Sequence, residues 1–204
     1  MNDALIIQHV SENSPHVNLL KITAARNLEY CLKHKMDFEM AVNGEIPRTG
    51  HWDAIRMVRI AMEKPYQYII YLDADTVIAD LNADLRSGCP HEKIGATRHI
   101  LKKEAYGIDL DHLNVGALYY YNCEATRAFV DKWLAGFPGT TEPSWFEQGV
   151  MNNINDGTVE EIDAKYNATG NVNPSPTPVV RGFHGQSGGN VRTLFDMMCA
   201  AIGK

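Results

Sequence analysis

Two aspartates, Asp73 and Asp75, stand one residue apart directly after the apolar run Tyr68–Leu72, YIIYL. Carboxylates at that spacing on a tight turn can share one hard divalent cation, because Mg²⁺ and Mn²⁺ prefer oxygen ligands and commonly complete their shell with substrate phosphates. A cation held there acts as a Lewis acid on the negative charge that builds on a departing diphosphate. D-x-D triplets also occur as plain solvated turns. The preceding run favours the site: an uninterrupted apolar strand is the kind buried on both faces of a parallel sheet, and such sheets bind ligands beyond the carboxyl ends of their strands.

The rest of the chain supplies the elements that would hold such a turn. Ala4 to Val10 reads as a buried first strand, and Leu20 to His34 as a helix with apolar residues at Leu20, Ala24, Leu28, Cys31 and Leu32. Asp37 to Val42 is a second strand closed by Asn43-Gly44, and Pro47 to Gly50 is a loop. Trp52 to Glu63 is a helix with Trp52, Ile55, Val58 and Met62 on one side, ended by Pro65. Beyond the aspartates, a short helix is expected near Leu81 to Arg86, strands at Lys93 to His99 and Leu113 to Tyr121, and a helix at Glu124 to Leu134. A Gly/Pro/Thr loop spans Gly136 to Ser144, followed by a short helix at Trp145 to Ile154 and a late strand at Val159 to Tyr166. Asn171 to Pro178 is too rich in proline to be regular, and a strand at Val179 to Phe183 precedes a last helix at Arg192 to Ile202. Strands alternating with helices predict a Rossmann-like α/β sheet, mixed and mainly parallel. No linker or repeat divides the chain, so one domain over residues 1–204 is expected.

Composition narrows the partners. The 204 residues are 45% hydrophobic, enough for one real core. With 19 basic against 25 acidic side chains the net charge is -6, which disfavours nucleic acid as a partner because counterion release needs a basic surface. Cys31, Cys89, Cys123 and Cys199 are too widely spaced for a zinc knuckle or redox pair and read as reduced thiols. The first residues carry no basic leader, and no run is long enough to span a membrane, so a soluble, cytoplasmic protein is expected. Asn167-Ala168-Thr169 fits a glycosylation sequon, and chance is the preferred reading of it.

Five segments together resemble a known family. YIIYLDADTVI resembles the D-x-D strand of GT-A glycosyltransferases. Trp52 to Ala61 resembles the helix before that strand in the fungal α-mannosyltransferase and plant xyloglucan xylosyltransferase family, to which glycogenin-like and bacterial galactosyltransferase families are related. Asn114-Val115-Gly116 with Asn122 resembles its N-x-G strand, and Trp145-Phe146-Glu147-Gln148 its W-x-[DE]-Q helix. Val179 to Gly185, VVRGFHG, resembles its closing strand with a metal-binding histidine. The order is that of the family, from about residue 50 to 190. The short glycosyltransferase domains of large algal viruses are a second, looser likeness, which would suit host cytoplasm.

The resemblance implies a single GT-A domain using Mn²⁺ or Mg²⁺ to move a sugar from a nucleotide-diphosphate sugar, UDP-linked in most such families, to a glycan or glycoprotein acceptor with retention. Asp73, Asp75 and His184 would hold the metal. Arg56, one turn into its helix, would touch the diphosphate and Asp73, a guanidinium being suited to paired hydrogen bonds with phosphate; Arg59 is equally well read as a surface arginine. Asn114 and Gly116 would face the donor sugar, the glycine allowing close approach. Glu147 would bind sugar hydroxyls and Gln148 would lie near the reacting carbon. His9, Val10 and Ser11, ending the first strand, are where this topology puts a nucleobase. Gly185, with Gly188 and Gly189, could offer backbone N–H groups to the diphosphate. The family's lysine after the closing histidine is missing, since only Lys204 follows it, and Arg192 or Arg181 is the candidate substitute.

Two other classes share some of these features. A phosphohydrolase of the haloacid dehalogenase type also has a strand ending D-x-D-x-[TV], as in Asp73 to Val77, but on its first strand and with a downstream acidic pair that is missing here. A catalytically inactive sugar-binding module would keep the same fold.

Overall fold

β1 (Ala4–Ser11) has no polar alternation because both its faces are covered: residues 4–10 are all buried. It runs parallel to β2 (Asp37–Asn43) on one side and to β3 (Tyr68–Asp73) on the other. The crossover helices α1 (Leu20–His34) and α2 (Gly50–Ala61) lie on opposite faces. Tyr30 and Cys31 of α1 pack with Ala4, Ile6, Ile70 and Leu72, whereas Trp52, Ile55 and Val58 of α2 pack with Leu5, Ile7, Ile69 and Tyr71.

This computed structural model describes residues 2–12, 14–43, 50–102, 110–136, 146–170, 172–183 and 190–203. After β4 (Thr76–Ile78), the sheet is completed by β5 (Ile94–Leu101), β6 (Leu110–Tyr121) and β7 (Val159–Ile162), giving the order β2-β1-β3-β6-β5-β7. β6 is antiparallel to both β3 and β5, and β5 is parallel to β7, so the sheet is mixed with parallel pairings in the majority. β4 pairs antiparallel with β8 (Val180–Gly182) in a small second sheet. Helices α3 (Glu124–Ala135), α4 (Phe146–Ile154) and α5 (Val191–Ala201) finish the fold. The α/β, Rossmann-like expectation holds. Among the described residues no helix is long and apolar enough to cross a membrane.

Several local expectations change. The short helix expected near Leu81 to Arg86 is a 3-10 turn at Leu85–Gly88, capped by Asp84. The late strand stops at Ile162 and gives way to a 3-10 turn at Ala164–Asn167. β4 was not anticipated, since its three residues need a partner a hundred positions away. The loops at Pro47 to Gly50 and Gly136 to Ser144, and Trp145, lie largely outside the described residues.

The buried face of α1 is the instructive difference. Leu28 and Leu32 are 50% and 75% exposed, while Thr23 and Asn27 are fully buried. The cause is Gln8 on β1, itself fully buried. Its Oε1 accepts from Thr23 Oγ1 at 3.1 Å and Asn27 Nδ2 at 3.3 Å, and its Nε2 donates to the backbone oxygen of Asp73 at 3.2 Å. A hydrogen-bonded polar chain thus replaces an apolar stripe and ties α1, β1 and the carboxyl end of β3 together. Truncating Gln8 would leave a buried amide donor without its acceptor, at about 1–3 kcal/mol. Gln8→Ala is therefore expected to lower Tm by roughly 3–10 °C, read by thermal unfolding; an unchanged Tm would mean that the chain carries no stability.

Candidate functional site

Asp73 ends β3 half-buried, and Asp75 in the following turn is 8% exposed. Both peptide oxygens are pinned: that of Asp73 by Gln8, and that of Asp75 by the Phe183 N–H at 3.1 Å, just past β8. The Tyr71 hydroxyl donates to Asp73 Oδ1 at 2.6 Å. Residues two apart on a strand share a face, so the tyrosine can set the orientation of the carboxylate beside it. Two hard oxygen donors on a rigid turn suit Mg²⁺ or Mn²⁺. No group of three or more candidate ligands occurs among the described residues; the expected third ligand, His184, follows Phe183 but lies outside them, as do Gly185, Gly188 and Gly189.

His9 is Asp73's register partner across β1 and β3, and it is buried. Val10 packs with Leu20 and Ala74, which leaves its backbone rather than its side chain for a ligand; Ser11 closes the strand. Arg56 on α2 is 45% exposed and ion-paired at 2.6 Å with Asp53, one turn earlier. Arg59 is engaged by Glu63 and Asp131 on the outer surface, in keeping with its reading as a surface arginine. Arg192 is 81% exposed at the start of α5, bonded to Asp196 and lying over Phe195, so its contacts do not join it to the other candidates. Arg181 points outward from β8 and, with Gly182, Phe183 and Met197, lines a groove of about 480 Å³.

A second wall rises from β6. Between the pairs Ala96–Leu118 and Arg98–Leu113, β5 contributes only Thr97 while β6 contributes residues 114–117. This bulge breaks the alternation of β6: Leu113 and Val115 face the same cluster as Leu118 and Tyr120. It turns Asn114 and Gly116 toward α4 and the D-x-D turn. Asn114 Nδ2 donates to Gln148 Oε1 at 3.0 Å, the Val115 N–H donates to the same oxygen at 3.1 Å, and Thr76 Oγ1 donates to the Gly116 carbonyl at 3.3 Å. Helix α4 is locked in place by Asn152, whose amide bonds both the N–H and the C=O of Leu113, and by Trp133 Nε1, which donates to the Glu147 carbonyl at 2.8 Å. Asn122, matched to the family's second asparagine, instead holds the end of α2 through Met62 and Tyr66. Tyr119 and Tyr120 are fully buried packing residues.

The two walls meet at Tyr71. Its phenol is pushed well above the ordinary range, first by burial and then by the charges of Asp73 and, more weakly, Glu147. Burial also raises the Glu147 carboxyl to about 7 from its reference of 4.5. The folded chain therefore holds this proton to higher pH than the unfolded chain, and the associated stability is lost as pH rises through that window. Glu147→Gln cannot ionise. Its stability advantage over the parent chain, followed by thermal unfolding, is expected to grow between about pH 5 and 7, by up to on the order of 3 kcal/mol, and then level off. A constant difference across that range would remove burial as the cause.

Gln8, Asp53, Trp133, Asn152 and Asn167 were not found by sequence reasoning. Asn167 is fully buried and donates from Nδ2 to Asn114 Oδ1 at 2.9 Å, so it is unavailable as a glycosylation acceptor. Only Tyr71 left a usable signal, its position two residues before Asp73 on a strand.

Solved structures share this architecture. A glycosyltransferase involved in the glycosylation of the major capsid of PBCV-1 superposes with a TM-score of 0.73 at 13% identity, over 96% of this chain and 98% of that one. The galactosyltransferase LgtC, in complex with donor and acceptor sugar analogs, gives 0.56 at 13% identity over 95% of each chain. Mouse xyloside xylosyltransferase 1 gives 0.52 at 13% identity, over 91% of this chain and 99% of that one. At such identities the likeness establishes the GT-A fold. No curated sequence matches the chain significantly. Residues 4–106 match a family profile; that stretch carries His9, Arg56, Asp73 and Asp75 and ends before Asn114. With half of its length matched by that profile and a GT-A fold, the chain belongs to the galactosyl transferase GMA12/MNN10 family of glycosyltransferases.

Proposed function

We propose that this glycosyltransferase is metal-dependent, takes a UDP-linked sugar and transfers it with retention to a glycan or glycoprotein acceptor. The observation that carries the reading is the opposition, across adjacent strands β3 and β6, of a pinned carboxylate pair and an amide-lined wall. Asp73 and Asp75, with His184, would hold Mn²⁺ or Mg²⁺. When bound, the cation supplies Lewis-acid stabilisation to the departing diphosphate. Arg56 adds a guanidinium to the same phosphates. Glu147, its carboxyl raised by burial, can donate to a sugar oxygen when protonated and accept from a hydroxyl when ionised. Gln148, bolted to β6, contributes at the sugar end through a fixed dipole. His9 and Ser11 border the nucleobase, and Gly185 would be the residue to offer a backbone N–H to the diphosphate.

The test is a panel of UDP- and GDP-sugars with and without Mn²⁺, read by thermal shift and by sugar transfer or donor hydrolysis. A matching nucleotide at a hundredfold excess over its Kd stabilises by about 2.7 kcal/mol, and the shift is expected to require the metal. Equal turnover in EDTA would defeat the metal-dependent part of the proposal; a shift with every sugar and turnover with none would favour a sugar-binding module.

A further inference from the structure

Backbone N–H groups can only donate, and two of them fix which way the side-chain amides of the second wall are turned. The Val115 N–H donates to Gln148 Oε1 and the Gly116 N–H donates to Asn114 Oδ1 at 2.8 Å. Exchanging oxygen and nitrogen in either side chain would set two donors against each other. Asn114 Oδ1 also accepts from Asn167 Nδ2, while its Nδ2 donates onward to Gln148 Oε1. The three amides therefore run one way, from Asn167 through Asn114 to Gln148, and each receiving oxygen takes two donors. The Gln148 oxygen is spent on the protein. Its Nε2, with no hydrogen-bond partner among the described residues, is the end of the chain. The backbone of Asn167 is in turn held from behind: its peptide oxygen accepts from Asn173 Nδ2 at 3.1 Å, and the peptide oxygen of its neighbour Tyr166 accepts from the Tyr119 hydroxyl at 2.7 Å.

We propose that Asn167 is a positioning residue for sugar transfer, directing the amide chain so that Gln148 offers an N–H, and not its carbonyl oxygen, to an oxygen of the donor sugar. The inference rests on the proposed transfer reaction at this site and adds to it the polarity of the group beside the reacting carbon. Asn167 does not touch the substrate; it acts through Asn114.

Two near-isosteric variants separate the possibilities. Asn167→Asp removes the donor and sets an oxygen against Asn114 Oδ1. Gln148→Glu keeps an oxygen for the Val115 and Asn114 donors but exchanges the terminal NH₂ for an acceptor. Each is expected to lower kcat by about 100-fold, the usual cost of losing one aligned donor, while the affinity for UDP with Mn²⁺, by calorimetry, changes by less than about threefold. The double variant should lose little more than either alone, because one device has been broken twice. If Asn167→Asp does not fold, Asn167→Ala replaces it, with a kcat loss of about 10-fold expected and the same unchanged UDP affinity. Parental kcat in Gln148→Glu, or loss of UDP affinity in step with kcat in the Asn167 variants, would overturn the proposal. A parent chain that binds UDP but transfers no sugar would instead overturn the reading on which it rests, and this inference with it.

Discussion

Asp75→Ala is expected to reduce Mn²⁺-dependent transfer on the order of 10³-fold, the scale of losing preorganised stabilisation of a leaving charge. Its fold should survive, because the links that hold the turn, from Gln8 to the Asp73 carbonyl and from the Phe183 N–H to the Asp75 carbonyl, use backbone oxygens. Asp73→Ala should behave similarly, with the added loss of the Tyr71 hydrogen bond. If both carboxylates serve one cation, the double variant will be scarcely worse than either single one. The measurements are initial rates across a Mn²⁺ titration together with thermal unfolding of each variant. Multiplicative losses in the double variant would mean that the two aspartates do separate jobs, and full activity of Asp75→Ala would remove the metal from this turn.

The second large effect divides the cleft between phosphate and sugar. Arg56→Ala is expected to weaken both UDP and UDP-sugar by about 30- to 100-fold, a charge-assisted contact to phosphate being worth roughly 2–3 kcal/mol. Gln148→Ala should leave UDP affinity nearly unchanged and reduce kcat by about 100-fold, since a group acting beside the reacting carbon is felt mainly in the transition state. The arginine variant also strips Asp53, which is 7% exposed, of its ion-pair partner. Arg56→Lys is therefore needed beside it: it restores a charge for Asp53 but not the forked contact to a phosphate. Stability recovered without UDP affinity would identify the guanidinium as the phosphate ligand. Equal loss of UDP affinity in Gln148→Ala would show that the cleft is not divided in this way.

The fold was legible in the sequence wherever one short-range signal dominated. The unbroken apolar runs of β1 and β3, the spacing of Trp52, Ile55 and Val58, and the paired aspartates at a strand end each follow from local chemistry, and together they imply an α/β sheet with its site at the strand termini. α1 was legible in extent, Leu20 to His34, but not in orientation: its period suggested Leu28 and Leu32 inside, and Gln8 draws Thr23 and Asn27 inside instead. Periodicity assumes that burial means apolar, and a polar group that finds its partner escapes that assumption.

For the site, sequence alone determined residue types and their order: Asp73, Asp75, Asn114, Glu147 and Gln148, with Arg56 upstream. Only the tertiary structure decided what each faces. It paired Arg56 with Asp53, left Arg192 on the outside of its helix, packed the Val10 side chain away, and brought in Tyr71 and Asn167. The physical reason lies in the bulge of β6. Opposite the single residue Thr97, four residues of β6 are crowded into one step of the sheet, and that displacement carries Asn114 to both Gln148 and Asn167, 34 and 53 positions away in the chain. A register shift costs nothing that one strand's sequence records, because it is set by the partner strand; the direction of the amides follows from it, and so does the bonding of the Gln148 oxygen to β6.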